Sequence, residues 1–443
     1  MRGFLVATLV AMMGPAGSAE DWPRFLGPSD NATSGETELV KQWPKDGLKV
    51  VWEMETGEGY TCPVIADGRL VYFHRVEGQE VVACLDPKTG KELWRFAYAV
   101  IYKDRYGFSP GPRASPVIDR DRVYTVGVTA RMHCLDVKTG RVLWKRDLMT
   151  DYQVPQYFFG YGPTPAVWRD RLIVNVGGRD GPTGVCVAAL DKMTGKTLWE
   201  VRDQWGASYA SPVVGKLHGK DVALVMGGGE SRPSHGGLLT IDPETGKVHD
   251  RFPWRARKFE SVIASSPLVV GDNRVFVSEC YEKGGVLLEF DEALASKPVW
   301  TQREFGMHWM VPLVIGDCLY GFAGRNTPDV EFKCARLGTG EIMWTDGTRW
   351  TLNGRVEGLF RGSLLQADGR VFALGEDGIL AELGLSPAGV VTKQRTRLFT
   401  AREAWTLPAL SGGLLYVCQN SRDPLSGRGP RLMCYDFRDR GGR

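Results

Sequence analysis

Residues 85–94 read LDPKTGKELW, and this stretch decides the fold because the chain repeats it. The pattern returns as LDVKTGRVLW at 135–144 and as LDKMTGKTLW at 190–199, and weaker copies follow. In the clear copies the aspartate falls at Asp86, Asp136, Asp191 and Asp242. The spacing is about 50 residues, and self-similarity at a fixed period indicates a repeat architecture.

Each repeat carries signals for four short strands. A strand led by proline, such as 62–65, meets an Asp-Gly turn, and a β-branched and aromatic strand follows at 70–73. A variable loop, a third strand at 81–85, the Asp-x-x-Thr-Gly turn and a last strand around Trp94 complete the unit. Alternating apolar runs broken by Asp and Gly are typical of antiparallel hairpins. Four such strands per repeat predict a propeller blade.

The number of repeats predicts an all-β, eight-bladed β-propeller over residues 49–439. A proline leads seven of the first strands, and a proline-free copy at Ser363 completes the count. The last copy has no fourth strand, but a suitable strand stands at 49–54, so pairing of the two ends is predicted to close the ring. The predicted blades are 60–98, 113–148, 161–201, 209–254, 264–302, 308–347, 360–399 and 405–439 with 49–56.

The residues of the repeat have local structural roles. The aspartate is expected to accept backbone N–H groups in its turn, and the glycine to supply a positive φ. The tryptophan is expected to pack on the next blade and to donate its indole N–H there. It is present in six blades, as Trp52, Trp94, Trp144, Trp199, Trp300 and Trp344. Blades four and seven lack it, so weaker outer packing is expected for them.

This repeat closely resembles the tryptophan-docking repeat, Ala-x-Asp-x-x-Thr-Gly-x-x-x-Trp, of the pyrroloquinoline-quinone (PQQ) enzyme superfamily. Ala83 to Asp86 and Ala189 to Asp191 fit it up to a one-residue offset of the alanine. The resemblance implies the eight-bladed fold. The same repeat builds quinoprotein alcohol and sugar dehydrogenases and also non-catalytic scaffolds of the outer-membrane barrel-assembly machinery, so it leaves the function open. The opening WPRFLGP at 22–28 is similar to the start of secreted bacterial proteins of this class.

The N-terminus is typical of a secretory signal peptide over residues 1–19. Arg2 precedes an apolar stretch at 4–13, and Gly17-Ser18-Ala19 offers small residues for cleavage. A retained anchor is the alternative. Residues 20–48 are predicted to form an extended arm over the folded body, and 440–443 a short tail. We therefore expect a periplasmic or secreted protein without a transmembrane segment.

Composition favours a soluble, monomeric globular protein with no nucleic-acid partner. Apolar residues make up 43%, charged residues 24%, and the formal net charge is +3, without a basic patch. Cys84, Cys134, Cys334 and Cys434 recur two residues before the aspartate position, which predicts buried packing sites, with a disulfide as the alternative. The six histidines show no metal-ligand spacing, so no metal site is predicted.

The two faces of such a propeller differ in their connections. The loop face carries the links between blades and between second and third strands, and the turn face carries the tight turns. All the long irregular segments fall on the loop face, at 98–112, 149–162, 227–237, 325–331 and 420–430. Because binding residues concentrate on loops held by a rigid frame, the loop face is predicted to be the functional one.

Residues just before the leading prolines are predicted to ring the mouth of the central channel on the loop face, called the funnel here. The candidate ligand-binding residues are Tyr60, Arg113, Tyr161, Tyr209, His308, Trp309, Arg361 and Trp405. Aromatic side chains with two arginines suit a planar or sugar-like ligand that carries a carboxylate. The alternative is an aromatic plug that merely fills the axis.

No catalytic residue can be assigned. For a quinoprotein the resemblance implies an aspartate base, a calcium ion held by carboxylate and amide groups, and a tryptophan beneath the quinone, but no residues here match those motifs. The G-x-S-x-G sequence at 107–111 lies in an interblade loop, which disfavours a hydrolase. We expect no cofactor and predict an exported, non-catalytic propeller that binds a protein or glycan partner through its loop face. The alternative is a PQQ- and calcium-dependent dehydrogenase that acts on an alcohol or sugar at the funnel.

Overall fold

Eight four-stranded antiparallel sheets form the body of the protein, which confirms the predicted all-β, eight-bladed fold. The computed structural model describes residues 20–153, 156, 158–177, 184–230, 234–327, 329–352 and 355–439. The predicted signal peptide at 1–19 and the tail at 440–443 lie outside these residues and stay predictions. The described part contains one short helix, α1 (Leu148–Tyr152), and no helix long and apolar enough to cross a bilayer.

The strands of the first four blades follow one another in chain order. Strand β1 (Val50–Glu55) stands before blade 1. Blade 1 contains β2 (Val64–Ala66), β3 (Arg69–Val76), β4 (Gln79–Leu85) and β5 (Glu92–Ala99). Blade 2 contains β6 (Val117–Asp119), β7 (Arg122–Val126), β8 (Arg131–Asp136) and β9 (Val142–Asp147). Blade 3 contains β10 (Ala166–Trp168), β11 (Arg171–Asn175), β12 (Val185–Asp191) and β13 (Thr197–Arg202). Blade 4 contains β14 (Val213–Leu217), β15 (Lys220–Gly227), β16 (Gly237–Ile241) and β17 (Val248–Pro253).

The second half of the ring repeats the arrangement, with one added hairpin. Blade 5 contains β18 (Leu268–Val270), β19 (Arg274–Glu279), β20 (Gly284–Phe290) and β21 (Ser296–Gln302). Blade 6 contains β22 (Leu313–Ile315), β23 (Cys318–Ala323), β24 (Glu331–Arg336) and β25 (Ile342–Asp346). The hairpin of β26 (Arg349–Leu352) and β27 (Arg355–Gly358) precedes blade 7. Blade 7 contains β28 (Ser363–Ala367), β29 (Arg370–Leu374), β30 (Ile379–Ser386) and β31 (Gly389–Arg397). Blade 8 contains β32 (Ala409–Ser411), β33 (Leu414–Gln419) and β34 (Arg431–Asp436).

The two ends of the chain close the ring, as the sequence predicts. Strand β1 pairs antiparallel with β34 as the fourth strand of blade 8, and Trp52 lies opposite Cys434. Trp94 lies opposite Cys84 and Trp144 opposite Cys134 in the same way. The N-terminal strand therefore takes the place of the outer strand that the last repeat lacks.

The turns of the repeat are held by their own side chains. The Asp136 carboxylate accepts the backbone N–H groups of Lys138 and Thr139 and the Thr139 hydroxyl, at 2.8–3.1 Å. These bonds, the Thr139 hydroxyl first, hold the pKa of Asp136 below its usual value. Gly140 follows with a φ of 71°, which an L side chain rarely adopts. Asp86 and Asp191 cap their turns with the same set of bonds.

Each repeat tryptophan docks on the next blade around the ring. Trp94 donates its indole N–H to the Val137 carbonyl at 2.9 Å, and its ring covers Gly140, where an added Cβ would lie 2.5 Å from Cε3. The close ring contact therefore requires the glycine. The equivalent bonds run from Trp52 to Pro87, Trp144 to Lys192, Trp199 to Pro243, Trp300 to Leu337 and Trp344 to Ser386.

The two blades without this tryptophan differ from each other. In blade 4 the position opposite Thr240 is Asp250, which accepts the Ser296 hydroxyl of blade 5 at 2.5 Å. In blade 7 the equivalent residue is Gln394, whose side chain binds the N-terminal arm at Lys41 and Trp43. Between blades 7 and 8, the arm therefore supplies a contact in place of the missing repeat tryptophan. Trp43 packs on Phe372 of blade 7 and Phe437 of blade 8, with ring centroids 6.4 and 6.1 Å away.

The arm at 20–48 also enters the central channel, beyond its predicted place over the folded body. Trp22 forms a β-bridge with Ile65 on an innermost strand and is fully buried. Further along the arm, Thr33 bridges Gln366 of blade 7. The Glu36 carboxylate accepts the backbone N–H groups of Gly412 and Gly413 in blade 8. The arm thus ties together the four consecutive blades 7, 8, 1 and 2, the last through a bond from the Ile118 N–H to the Pro23 carbonyl.

The cysteines serve packing. All nine are free thiols, and eight are buried, including the four repeat-equivalent positions. Burial raises the pKa of the Cys84 thiol to about 12. These observations confirm the predicted packing role.

Candidate functional site

The funnel on the loop face is an open cavity of about 260 Å³. The aromatic side chains narrow the axis without filling it. Seven of the eight predicted residues line this cavity, namely Tyr60, Arg113, Tyr209, His308, Trp309, Arg361 and Trp405. The eighth, Tyr161, is buried outside the lining, and its hydroxyl has no hydrogen-bond partner among the described residues. Its neighbour Gly162 lines the wall instead.

Trp405 is the central aromatic residue of the funnel. Its ring stacks on Tyr60, with centroids 5.3 Å apart and planes 28° apart. Trp309 lies on another side of Trp405, with ring centroids 5.0 Å apart and ring planes 44° apart, so the two indoles form an open corner. The Trp405 indole N–H donates to the Glu376 carboxylate at 2.8 Å. Because this bond fixes the ring, its free surface is held ready for contact with a ligand.

Arg361 is fixed by the same carboxylate. Its Nε donates to Glu376 Oε2 at 2.7 Å, and its guanidinium lies over Trp405 at 4.5 Å from the ring centroid. Only Nε is used in this way among the described residues, so both Nη atoms keep donors for a ligand. Glu376 therefore positions one aromatic and one cationic group of the funnel together.

Arg113 lies at the funnel as predicted, but its guanidinium is already engaged. It donates to Asp104 Oδ2 at 2.8 Å and to the carbonyls of Ser109 and Gly111. The Asp104 side chain is only 1% exposed, so this ion pair is largely removed from water. Arg113 therefore holds the loop at 98–112 in place, and its predicted contact with a ligand stays a prediction.

Arg325 is a third arginine at the funnel, beside Arg113 and Arg361. It lines the cavity with its guanidinium 4.5 Å from the Tyr281 ring centroid and contacts no carboxylate in the described part of the chain. Burial first, and then Arg361 and Arg325, lower the pKa of His308 to about 3. The imidazole is therefore neutral at ordinary pH. Sequence reasoning missed Arg325 because no repeat position carries it, although it opens one of the long loops.

Two loops contribute further aromatic side chains to the wall of the funnel. Phe108 lies 5.8 Å from Trp405, and Phe159 lies 5.7 Å from both Phe108 and Tyr209. The Tyr209 hydroxyl accepts the Phe159 backbone N–H at 3.0 Å. Phe25 of the arm lines the funnel from the channel side. The aromatic content of the loops at 98–112 and 149–162 was a usable signal for Phe108 and Phe159. No signal in the repeat pointed to Phe25.

A second cavity of about 380 Å³ adjoins the funnel and shares Asn326 and Arg361 with it. Its remaining lining is mostly polar or charged, with Thr327, Phe360, Glu376, Asp377, Arg402 and Glu403. Glu403 accepts the Tyr60 hydroxyl at 2.7 Å. Burial, together with this carboxylate, raises the pKa of Tyr60 far above its usual value, so the phenol stays protonated and donates.

The oxygen donors around the funnel do not fit a calcium ion. Calcium takes six to eight oxygen ligands, whereas Arg361 and Trp405 engage Glu376, and of the described residues only Asp377 and one oxygen of Glu403 are left as nearby carboxylate donors. The described residues contain no group of three acidic, histidine or cysteine side chains close enough to hold a metal. The aromatic corner and the arginines do fit a planar or cyclic anionic group.

Comparisons with known proteins agree with the fold. The family model PQQ_2, described as "Outer membrane protein assembly factor BamB", matches residues 78–346, more than half of the chain. No curated protein matches the sequence. Quinohemoprotein alcohol dehydrogenase from Comamonas testosteroni superposes with a TM-score of 0.65 at 13% identity, over 96% of this chain and 81% of the other.

Two further solved structures share the architecture. BamB from Moraxella catarrhalis gives a TM-score of 0.57 at 14% identity, over 89% of this chain and 99% of that one. The computationally designed Ika8 protein gives 0.54 at 12% identity, over 90% and 100%. At such low identity the likeness shows the fold alone, and an enzyme, an assembly factor and a designed protein all carry it. On the match of the family model, the chain belongs to the PQQ_2 family of β-propellers.

Proposed function

We propose that this chain is an exported, non-catalytic propeller that binds a glycan or protein partner through its loop face, with the funnel as the principal contact. The observation that carries the proposal is the open funnel itself. It presents the faces of Trp309 and Trp405 and unpaired donors of Arg361 and Arg325 on a rigid ring. Concave, mostly apolar sites with a few placed polar groups are the usual form of ligand pockets.

The surface around the funnel supports a role in recognition. Four of the most exposed apolar side chains stand on loop-face segments, namely Ile101 (99% exposed), Leu425 (77%), Val356 (64%) and Tyr106 (58%). Aromatic and aliphatic residues at a rim are common where a partner docks. The family description names an assembly factor of the outer membrane, which is consistent with export and with a binding role.

A PQQ-dependent dehydrogenase is the second candidate. The stacking faces and arginines of the funnel suit a planar quinone that bears carboxylates, and the Comamonas alcohol dehydrogenase has the same fold. When bound, such a quinone accepts a hydride equivalent from an alcohol. In this chain Trp405 would stack on it and Arg361 would hold a carboxylate, whereas the described residues offer no cluster of calcium donors. This poor fit of the donor set favours the binding role.

One experiment separates the two functions. In the first arm, the purified protein and its Trp405→Ala variant are applied to an array of bacterial and plant glycans. In the second arm, both proteins are mixed with PQQ, Ca²⁺, an alcohol and a redox dye. We expect wild-type binding that Trp405→Ala loses, and no dye reduction. Dye reduction that needs PQQ and is lost in Trp405→Ala would overturn the non-catalytic proposal in favour of the dehydrogenase.

A further inference from the structure

One of the three funnel arginines has no carboxylate partner among the described residues, and this points to the class of ligand. Three arginines line the funnel, but Asp104 pairs with Arg113 and Glu376 pairs with Arg361. Arg325 is left without a carboxylate among the described residues. His308 beside it is neutral, because burial and the two arginines lower its pKa to about 3. Arg325 is therefore the funnel cation that remains to pair with an anionic group of a ligand, such as a carboxylate.

The aromatic corner selects the shape of the group that carries this anion. Trp309 and Trp405 meet at 44° with centroids 5.0 Å apart, and Tyr60 extends the same surface. A pyranose ring has one face of C–H groups that packs on an indole, and its edges carry hydroxyl groups. The cavity of about 260 Å³ is below the ~300–1,000 Å³ that drug-sized ligands occupy. The funnel therefore has room for one ring.

The adjoining cavity suits the next ring of the same chain. It has a volume of about 380 Å³ and opens beside Asn326 and Arg361. The Asn326 side chain makes no hydrogen bond within the described ranges, and Asp377 and Glu403 offer carboxylate oxygens. Such amide and carboxylate groups are the partners that sugar hydroxyls use in proteins. A carboxylate on this second ring would meet like charges, so the acidic ring belongs in the funnel.

The arm limits how a chain can enter. Phe25 lines the funnel on its channel side, and Trp22 fixes the arm there through a β-bridge to Ile65. Because the arm blocks the axis below the funnel, a polymer cannot thread through the ring. Resting on the proposed binding function, we infer that the funnel binds the end of an acidic glycan, with a terminal uronic-acid ring stacked on Trp405 and Trp309 and its carboxylate on Arg325 and Arg361.

The test measures calorimetric binding of matched oligosaccharides to the full chain. The probes are an oligogalacturonate and an oligoglucuronate with terminal acidic rings, their carboxyl-reduced neutral forms, and free phosphate. We expect the acidic oligomers to bind and the neutral forms and phosphate to bind at least tenfold more weakly. Arg325→Gln should weaken the acidic oligomers about 10- to 100-fold, as for loss of a charge-assisted bond, and bring them close to the neutral forms.

A matched variant controls for general charge. Arg303→Gln removes a loop-face arginine whose side chain is 74% exposed and lies outside the funnel, and it should leave binding unchanged. Thermal unfolding of each variant checks that the fold is kept. Equal affinity for acidic and neutral oligomers, or unchanged binding in Arg325→Gln, would overturn the inference and leave the proposed binding function standing. The proposed function fails separately, if a partner found by any route binds Trp405→Ala as well as wild type.

Discussion

The turn face and the loop face use the same residue types in opposite ways. On the turn face, the Trp94 ring packs over Gly140 and its N–H donates to a backbone carbonyl. In the funnel, Trp405 gives its N–H to the Glu376 carboxylate and keeps part of its ring open to the cavity. The first arrangement seals a seam between blades, and the second presents a surface.

The carboxylates of the two faces differ in the same sense. Asp136 in its turn is surrounded by donors that lower its pKa, so its charge stabilises the turn. Glu279, at the loop-face end of β19, is 1% exposed, and burial raises its pKa to about 7. Carboxyl groups with a strongly shifted pKa are common at functional sites. The repeat therefore stabilises the turn face and leaves the loop face free to carry a site.

The largest effect that tests this comparison is expected from paired tryptophan substitutions. Trp94→Ala should lower the free energy of unfolding by about 3–5 kcal/mol, because it removes a buried aromatic ring and leaves a cavity at the seam. Trp405→Ala should cost much less, because its ring already borders an open cavity. Urea unfolding of both variants measures the difference. Equal losses would show that the funnel tryptophan is also a packing residue.

The next effect concerns pH. The folded pKa of Glu279 lies near 7 and above its usual 4.5, so its contribution to stability is full below about pH 4.5 and is lost as the pH rises through 7. At pH 8 the penalty amounts to about 3 kcal/mol. Glu279→Gln keeps an acceptor for the Ala256 N–H and should remove this loss. Unfolding curves from pH 4 to 8 measure it, and a variant that keeps the wild-type pH slope would contradict the assignment.

The smallest effect separates the stability contribution of the tryptophan contact from that of the turn conformation beneath it. Gly140 and Gly219 have nearly the same positive φ, 71° and 70°, but only Gly140 lies under a tryptophan, and a Cβ at Gly219 would meet nothing within 4 Å. Both alanine variants should lose about 1–2 kcal/mol to the backbone conformation. Gly140→Ala should lose about 1–3 kcal/mol more to overpacking. Thermal unfolding of the pair measures the difference, which should vanish in a Trp94→Ala background.

The fold could be predicted from the sequence because the repeat determines it locally. The turn residues, the docking tryptophans and the strand at 50–55 each have a fixed position relative to Asp86 or its equivalents, so blade number and closure follow from counting. The seam of blade 7 departs from this rule. There Trp43 from the arm replaces the missing residue, and no repeat position contains it.

The site was predictable only in part, for a related reason. Trp309, Trp405 and Arg361 stand next to the leading prolines or their equivalents, so their place at the axis follows from the period. Arg325 and Phe159 reach the funnel from irregular loops, whose paths depend on contacts between distant segments. The ion pair of Arg113 could not be foreseen, because its partner Asp104 lies in such a loop, where sequence distance gives no indication of an ion pair.

The central claim is that the loop-face funnel, and not the turn face, is the binding surface. The most direct measurement compares the affinity of the ligand selected on the glycan array, or of a purified protein partner, for two variants. Trp309→Ala/Trp405→Ala alters the funnel, and Leu93→Ser alters an outer-strand residue that is 48% exposed beside the Thr89-Gly90 turn. The account predicts at least a tenfold loss of affinity in the first variant and none in the second. Unchanged binding in the first variant, or a loss confined to the second, would contradict it.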